Sequence, residues 1–180
     1  MSDLSKRKTF FVCGHAQSGK TSLVESILFK SGAFNRLGKV NDSTSISDYE
    51  VDEKDRKSSI NLSCLYGDYK GTSLQFIDTP GYLDFVGEVI AASRAADFAI
   101  IVVDATAGIE VGTEKAWDIV RKENLPCIFF INKLDKENIS FQTTLGDIKN
   151  GLTKAAVPFD IYENGNITNA LKDSSSPYYN

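Results

Sequence analysis

The eight residues GHAQSGKT, numbered 14–21, have the residue types and spacing of a phosphate-binding loop. Gly14 and Gly19 permit a backbone that turns amide groups toward phosphate oxygens. Lys20 would reach the outer phosphates of a nucleotide, and the Thr21 hydroxyl would bind a magnesium ion. The alternative is an ordinary glycine-rich turn with a chance lysine. The strand pattern before the loop and the helical pattern after it favour the phosphate loop.

A second motif, DTPG at residues 78–81, follows another apolar stretch. An acid at a strand end beside a phosphate loop can hold magnesium directly or through water, which makes Asp78 a candidate. Gly81 lacks a side chain, so its amide could approach a terminal phosphate closely. By itself this motif is weak, because Asp is common at turns.

A third motif, NKLD at residues 132–135, ends a further apolar stretch. The Asp135 carboxylate can accept hydrogen bonds from the ring NH and the exocyclic amine of guanine, a donor pair that adenine lacks. The Lys133 stem could cover the face of the base, and Asn132 could tie this loop to the phosphate loop. The three motifs together predict a site for a guanine nucleotide with magnesium, and they make an ATP-dependent enzyme the weaker hypothesis.

The stretches between the motifs predict the elements that position them. Continuous apolar runs of strand length are typical of a buried parallel sheet, and here they alternate with amphipathic helical patterns. The expected fold is an α/β P-loop NTPase three-layer sandwich, with a mostly parallel sheet, one antiparallel hairpin and helices on both faces. Strands are predicted at 8–14, 98–105 and 126–135, a hairpin at 59–78, a strand start at 157–165, and helices at 20–32, 82–97, 112–124 and 140–154.

Residues 33–58 form a long polar segment without a sustained period. Loops of this length are usually functional or disordered. The acidic stretch at 48–55 within it is interpreted as a solvent-facing loop surface rather than as a metal site.

Composition excludes several classes of protein. The 180 residues carry 20 Lys and Arg against 24 Asp and Glu, a net charge of -4, which argues against a bulk nucleic-acid-binding surface. No apolar run approaches the length that spans a bilayer, and no signal peptide is evident, so we expect no membrane association. Cys13, Cys64 and Cys127 lie in or beside apolar runs without metal-ligand spacing. They are predicted to be reduced and buried in a cytoplasmic protein.

These motifs resemble the GTP-binding domain of the translational GTPases, and within that family a divergent elongation factor G-like subgroup. The likeness rests on GHAQSGKTSLVESIL, DTPGYLDFVGEV, AADFAIIVVDATAGIEVGTEKAW and NKLDKEN, and it covers about residues 8 to 160. The resemblance implies GTP hydrolysis to GDP and phosphate with Mg²⁺, a monomer, and action on the ribosome when full-length. It implies no direct nucleic-acid binding by this chain alone.

The resemblance also implies a set of site residues. Lys20 and, at the position that orients the attacking water, Tyr82 would serve catalysis. Magnesium would be held by Thr21, by Ser59 from the long loop and, through water, by Asp78; Ser58 is a weaker choice than Ser59. The nucleotide would be bound by Gly14, His15, Ala16, Gln17, Ser18, Gly19, Lys20, Thr21, Ser22, Asp78, Gly81, Asn132, Lys133 and Asp135.

Three positions depart from the family pattern. Gln17 replaces an Asp that can help hold a monovalent cation, so we expect no such cation here. Ser59 replaces a Thr and keeps its hydroxyl. Tyr82 replaces the His that orients water, and since a phenol carries no positive charge at pH 7, we expect slow intrinsic hydrolysis. The alternative for Tyr82 is a ring that packs on apolar neighbours or turns toward solvent.

The resemblance divides the chain in two. Residues 1–157 would be the GTP-binding domain, with a first switch at about 33–59 and a second at about 79–90, and residues 158–180 would begin an insert or truncated C-terminal part, with a mobile tail. The Ser-Ala motif that backs guanine in the family is not convincingly present.

Two hypotheses remain: a GTP-hydrolysing switch, or a GTP/GDP-binding module with very slow or no hydrolysis that acts by nucleotide occupancy.

Overall fold

Five strands form one sheet in a computed structural model of the chain, which describes residues 6–38, 40–42, 44–163, 165–170 and 172. The sheet order is β2-β3-β1-β4-β5, and only the β2–β3 pair is antiparallel. Its strands are β1 Arg7–Cys13, β2 Ser63–Tyr69, β3 Thr72–Asp78, β4 Phe98–Asp104 and β5 Cys127–Asn132. The predicted mostly parallel sheet with one hairpin is therefore confirmed.

The helices cover both faces of this sheet. They are α1 Lys20–Lys30, α2 Val51–Arg56, α3 Val86–Ala95, α4 Val111–Lys122 and α5 Phe141–Gly151, with short 3-10 helices at Val40–Asp42 and Leu83–Phe85. Side chains alternate between the faces of a strand, so β1 sends Val12 toward α1 and Phe11 toward the opposite layer of helices. The predicted three-layer sandwich is confirmed.

A second, two-stranded sheet lies outside this sandwich. It consists of β6 Asp160–Glu163 and β7 Asn166–Asn169, which pair antiparallel. The strand start predicted at 157–165 falls on β6. The tail after residue 172, expected to be mobile, lies outside the described residues.

The interpretation of residues 48–55 as a solvent-facing surface is wrong for two of its acids. Asp48 is 3% exposed and Glu53 is 1% exposed. Glu53 lies in α2, where it forms a capping box with Glu50 and also accepts hydrogen bonds from the amides of Ile60 and Asn61. Backbone donors that sequence patterns do not reveal compensate the burial of this carboxylate.

The prediction of buried cysteines fails at one position. Cys13 is buried and Cys127 is partly buried, but Cys64 is exposed. Cys64 lies on β2, which is an edge strand with one face toward solvent, so alternate residues of that strand face water.

Candidate nucleotide-binding site

The three motifs meet at the carboxyl edge of the main sheet. Val12 pairs with Asp78 across β1 and β3, and Asp104 pairs with Asn132 across β4 and β5, so the two strands of each pair end together. Cys13 at the end of β1 pairs with Ile101, so β4 and β5 extend about three residues further along the same edge. Polar residues that follow these strands therefore converge on the edge where ligands of such sheets bind.

The phosphate loop leaves β1 at Gly14, whose φ is 135°, and enters α1 at Gly19. Gly19 has a φ of 97°, and a Cβ on it would collide with the Asn132 amide nitrogen. Gln17 is also left-handed, with a φ of 60°. The loop thus places Ala16 and Ser18 in a tight turn before the helix N-terminus, a geometry suited to anions.

Lys20 crosses the opening of this loop. Its side chain is 6% exposed, and its ammonium donates to the His15 carbonyl oxygen at 2.8 Å. Burial lowers the pKa of Lys20, and the nearby Asp78 carboxylate opposes that shift. Gly81 lies against this ammonium and against the Ala16 backbone, so a Cβ at residue 81 would have no room. The second motif therefore borders the phosphate loop directly.

Four side-chain oxygens form a chain beside Lys20. Thr21 Oγ1 donates to Asp78 Oδ2 at 2.6 Å and lies 3.4 Å from Ser59 Oγ. Ser59 Oγ in turn donates to Asp48 Oδ1 at 2.6 Å. The predicted magnesium ligands are thus adjacent, and Asp48 joins them although sequence reasoning missed it.

The unused oxygens of this group fit a divalent cation. Asp78 Oδ1 and Asp48 Oδ2 are buried, and neither has a hydrogen-bond partner among the residues that the structure describes. Buried carboxylate oxygens without partners are costly, and hydroxyls with carboxylates are the ligands that Mg²⁺ prefers. Burial raises the pKa of Asp78 to about 6, while the Thr21 hydrogen bond and Lys20 pull it down.

The loop after β5 contacts the phosphate loop through one side chain. Asn132 Nδ2 donates to the Ser18 carbonyl oxygen at 2.8 Å, which is the tie expected from the sequence. Lys133 has a left-handed φ of 62°, and its ammonium pairs with Asp104. The Asp135 side chain is 73% exposed, so its carboxylate remains accessible to a ligand.

His15 uses its side chain away from the phosphate loop. Its Nδ1 accepts from the Gly112 amide at 3.2 Å, and its Nε2 lies 3.3 Å from the Glu110 carboxylate at the start of α4. Only its backbone takes part in the loop. The imidazole therefore joins the phosphate loop to α4.

Tyr82 follows Gly81 in an extended conformation, just before the 3-10 helix that starts at Leu83. It is 43% exposed and borders a small pocket together with Gly14, Gly81 and Gly112. The ring thus lies near the phosphate loop without being held in the core.

Asp104 and Glu25 were also missed by the sequence reasoning. Asp104 ends β4, so the strand-end rule that selected Asp78 could have found it. Burial acts to raise its pKa, but hydrogen bonds from Lys133 and Thr106 outweigh this and hold the pKa of Asp104 below its usual range. Glu25, fully buried in α1, accepts from residues 45–47 of the long loop, and no sequence pattern signals that contact.

Fold and site together define a P-loop nucleotide-binding domain. A family profile described as the elongation factor Tu GTP-binding domain matches residues 5–174, so the chain belongs to that family. The resemblance to elongation factor G-like translational GTPases is thereby confirmed.

Two relatives and one solved structure illustrate the match. Elongation factor G of Mycoplasma pneumoniae is 36% identical over 159 residues, which are 88% of this chain and 23% of that protein. Mitochondrial ribosome-releasing factor 2 of Danio rerio is 37% identical over 147 residues, which are 82% of this chain and 19% of that protein. A crystal structure of a Thermus thermophilus protein has a TM-score of 0.85 and 35% identity, and it covers 91% of this chain and 25% of that one.

The chain spans about a fifth to a quarter of the length of these relatives. Among the described residues, no helix combines the length and apolar character that crossing a membrane requires.

Proposed function

We propose that this chain is a guanine-nucleotide-binding switch that hydrolyses GTP to GDP and phosphate with Mg²⁺, and that the complete protein acts on the ribosome in the cytoplasm. The observation that carries the proposal is the hydrogen bond from Asn132 to the Ser18 carbonyl. It joins the loop suited to guanine to the loop suited to phosphates. Relatives named elongation factor G and ribosome-releasing factor support the ribosomal role.

The residues divide the work between binding and chemistry. Lys20 and the amides of residues 14–22 would bind the phosphates, and Gly81 would bring its amide to the terminal phosphate. Asp135 would read the guanine edge, with Lys133 over the base face. Thr21, Ser59 and, through water, Asp78 would hold Mg²⁺, with Asp48 beside them. The bound ion would stabilise negative charge on the phosphates.

Hydrolysis would depend on Tyr82 for placement of the attacking water. Its phenol can hydrogen-bond water but carries no positive charge at pH 7, so the intrinsic rate would be slow. Because Tyr82 is 43% exposed, its side chain is accessible to a partner, whose surface could complete the catalytic site. The absence of a positive charge at this position favours the second candidate, a binding module that acts by occupancy and hardly hydrolyses.

The domain division is part of the same proposal. Residues 1–157 would form the GTP-binding domain, with switches at about 33–59 and 79–90, and residues 158–180 would begin an insert. The separate β6–β7 sheet supports the boundary, because it pairs with no strand of the main sheet among the residues described.

Base choice is tested by titrating fluorescent GDP and ADP against the wild-type chain. We expect a strong preference for GDP, and Asp135→Asn should reduce that preference about a hundredfold because a carboxylate acceptor is lost. Asp118→Asn, an exposed acid on α4, is the control and should change neither affinity. Equal affinity of the wild type for GDP and ADP would exclude a guanine site.

Hydrolysis is tested by phosphate release from GTP in the complete protein, with and without ribosomes. Stimulation by ribosomes supports the hydrolysing switch. Tight GTP binding without phosphate release in either condition supports the binding module instead.

A further inference from the structure

Asp104 ends β4 next to the loop proposed to read guanine, and both oxygens of its carboxylate are engaged. Oδ1 accepts from the Thr106 amide at 2.9 Å and from the Thr106 hydroxyl at 2.6 Å. Oδ2 forms the ion pair with the Lys133 ammonium. The Asp104 side chain is only 9% exposed, so its own position is fixed by packing and by Thr106.

Lys133, by contrast, needs an external anchor. Its φ of 62° is a left-handed conformation that residues with a Cβ rarely adopt. Its side chain is 32% exposed, and a lysine stem has four rotatable bonds and a large rotamer entropy. An ion pair to a buried carboxylate restricts that freedom, because the ammonium can then occupy only one place.

The backbone adds a second tie at the same point. The Ala105 amide donates to the Asn132 carbonyl oxygen at 3.0 Å, so a backbone hydrogen bond next to the ion pair also joins the ends of β4 and β5. The ion pair and this hydrogen bond therefore both link the end of β4 to the loop that carries Asp135.

We propose that Asp104 is a positioning residue for guanine nucleotide binding, which fixes the Lys133 ammonium so that the aliphatic stem forms a preformed surface for the face of the base. This inference rests on the proposed function. It assigns to Asp104 a contribution to affinity for the purine ring but none to recognition of the guanine edge, which belongs to Asp135.

The test compares Asp104→Asn with wild type by calorimetric titration with GDP and with inosine diphosphate, which lacks the exocyclic amine. The amide keeps an acceptor for Thr106 and removes the charge that holds Lys133. We expect about tenfold weaker binding of GDP, the scale of one charge-assisted contact, and the same factor for inosine diphosphate. Asp97→Asn is the matched control, because Asp97 precedes β4 at its opposite end and accepts from the Thr9 amide.

A double-mutant cycle separates positioning from a structural role. On a Lys133→Met background, Asp104→Asn should change GDP affinity less than about twofold, because its target is gone. If Asp104→Asn weakens GDP binding equally on the Lys133→Met background, the inference is overturned. It is also overturned if Asp104→Asn alone leaves GDP affinity unchanged, as Asp97→Asn should. These outcomes differ from a failure of the proposed function, in which the wild-type chain itself would not prefer GDP to ADP.

Should Asp104→Asn fail to fold, Asp104→Glu carries the test. It keeps the charge and moves it by one methylene. Weaker GDP binding at an unchanged melting temperature supports the inference, and unchanged GDP binding overturns it.

Discussion

The two ends of the proposed site differ in how far they are built before a ligand arrives. At the phosphate end, Lys20 is 6% exposed and Asp78 is 1% exposed. At the base end, the side chains of Asp135 and Lys133 are 73% and 32% exposed. The charged groups proposed to meet the phosphates are therefore buried together, whereas those proposed to meet the base are partly or largely exposed, although Lys133 is paired with the buried Asp104.

This difference in burial suggests that the phosphate end would set the affinity for the nucleotide and the base end the selectivity for guanine. Buried charges at the phosphate end are already desolvated and positioned, so a nucleotide bound as proposed would gain strong interactions there with little reorganisation. The exposed Asp135 would select guanine through hydrogen bonds that another base cannot make. Substitutions at the two ends should consequently affect different measurable quantities.

The largest expected effect is that of Lys20→Met. Loss of the buried ammonium would remove the charge-assisted contacts proposed for it, so two such contacts at the scale of roughly 1.5–3 kcal/mol each should lower GDP affinity at least about a hundredfold. Isothermal titration measures the loss, and the ratio of GDP to inosine diphosphate affinity should stay constant.

Lys30→Met is the control for this substitution, because Lys30 is exposed at the other end of the same helix. GDP affinity of Lys20→Met within about threefold of the Lys30→Met value would contradict the assignment of affinity to the phosphate end.

The second effect is a dependence of stability on pH that arises at the phosphate end. The pKa of Asp78 is raised to about 6 in the folded protein from 3.8, so the folded state binds this proton more tightly than the unfolded state. The contribution of Asp78 to stability is therefore greatest near pH 4 and declines as the pH rises to about 6. Without metal, the free energy of unfolding of Asp78→Asn relative to wild type should rise by about 2 kcal/mol from about pH 4 to pH 7.

Urea denaturation in chelator at several pH values measures this difference, with Asp118→Asn as the control for loss of an acid. Added Mg²⁺ should reduce it, because a cation favours the charged carboxylate. Parallel pH profiles for wild type and Asp78→Asn would contradict a buried, metal-seeking Asp78.

The parts of the fold and site that the sequence could predict are those encoded by local patterns along the chain. Each of the three motifs is local, and each follows a strand with a recognisable apolar pattern, so the sheet and the strand-end residues could be predicted. Asp104 obeys the same rule and could have been found. Asp48 and Glu25 could not, because their roles arise from contacts between α1, the long loop and β3, which no spacing along the chain encodes.

Glu25 holds the long loop against α1, and its removal should lower stability without removing a proposed phosphate contact. Its Oε1 accepts from Ser45 Oγ at 3.0 Å and from the amides of Ile46 and Ser47. Glu25→Ala would leave these donors without their acceptor, and because the Ser45 and Ser47 donors are buried, the cost should be about 2 kcal/mol in the free energy of unfolding.

Urea denaturation measures the cost, and hydrogen exchange at the Ile46 amide should accelerate. Glu114→Ala, an exposed acid on α4, should change stability by less than about 0.5 kcal/mol. Slow exchange at Ile46 in Glu25→Ala would show that the long loop is held by other contacts.

Tyr82 does not follow the difference between the two ends, and substitutions of Tyr82 should have the smallest effect on nucleotide affinity. It belongs to the phosphate end by position, yet it is 43% exposed like the base end. Because Tyr82→Phe keeps the ring and removes only the hydroxyl of a half-exposed side chain, GDP affinity should stay within about twofold and stability within about 0.5 kcal/mol. Tyr82→His should bind equally well but raise ribosome-stimulated GTP turnover in the complete protein, since an imidazole can carry the positive charge that a phenol lacks. Phosphate release measures this, and a lower turnover in Tyr82→His would mean that the phenol has a positive role of its own in placing the water.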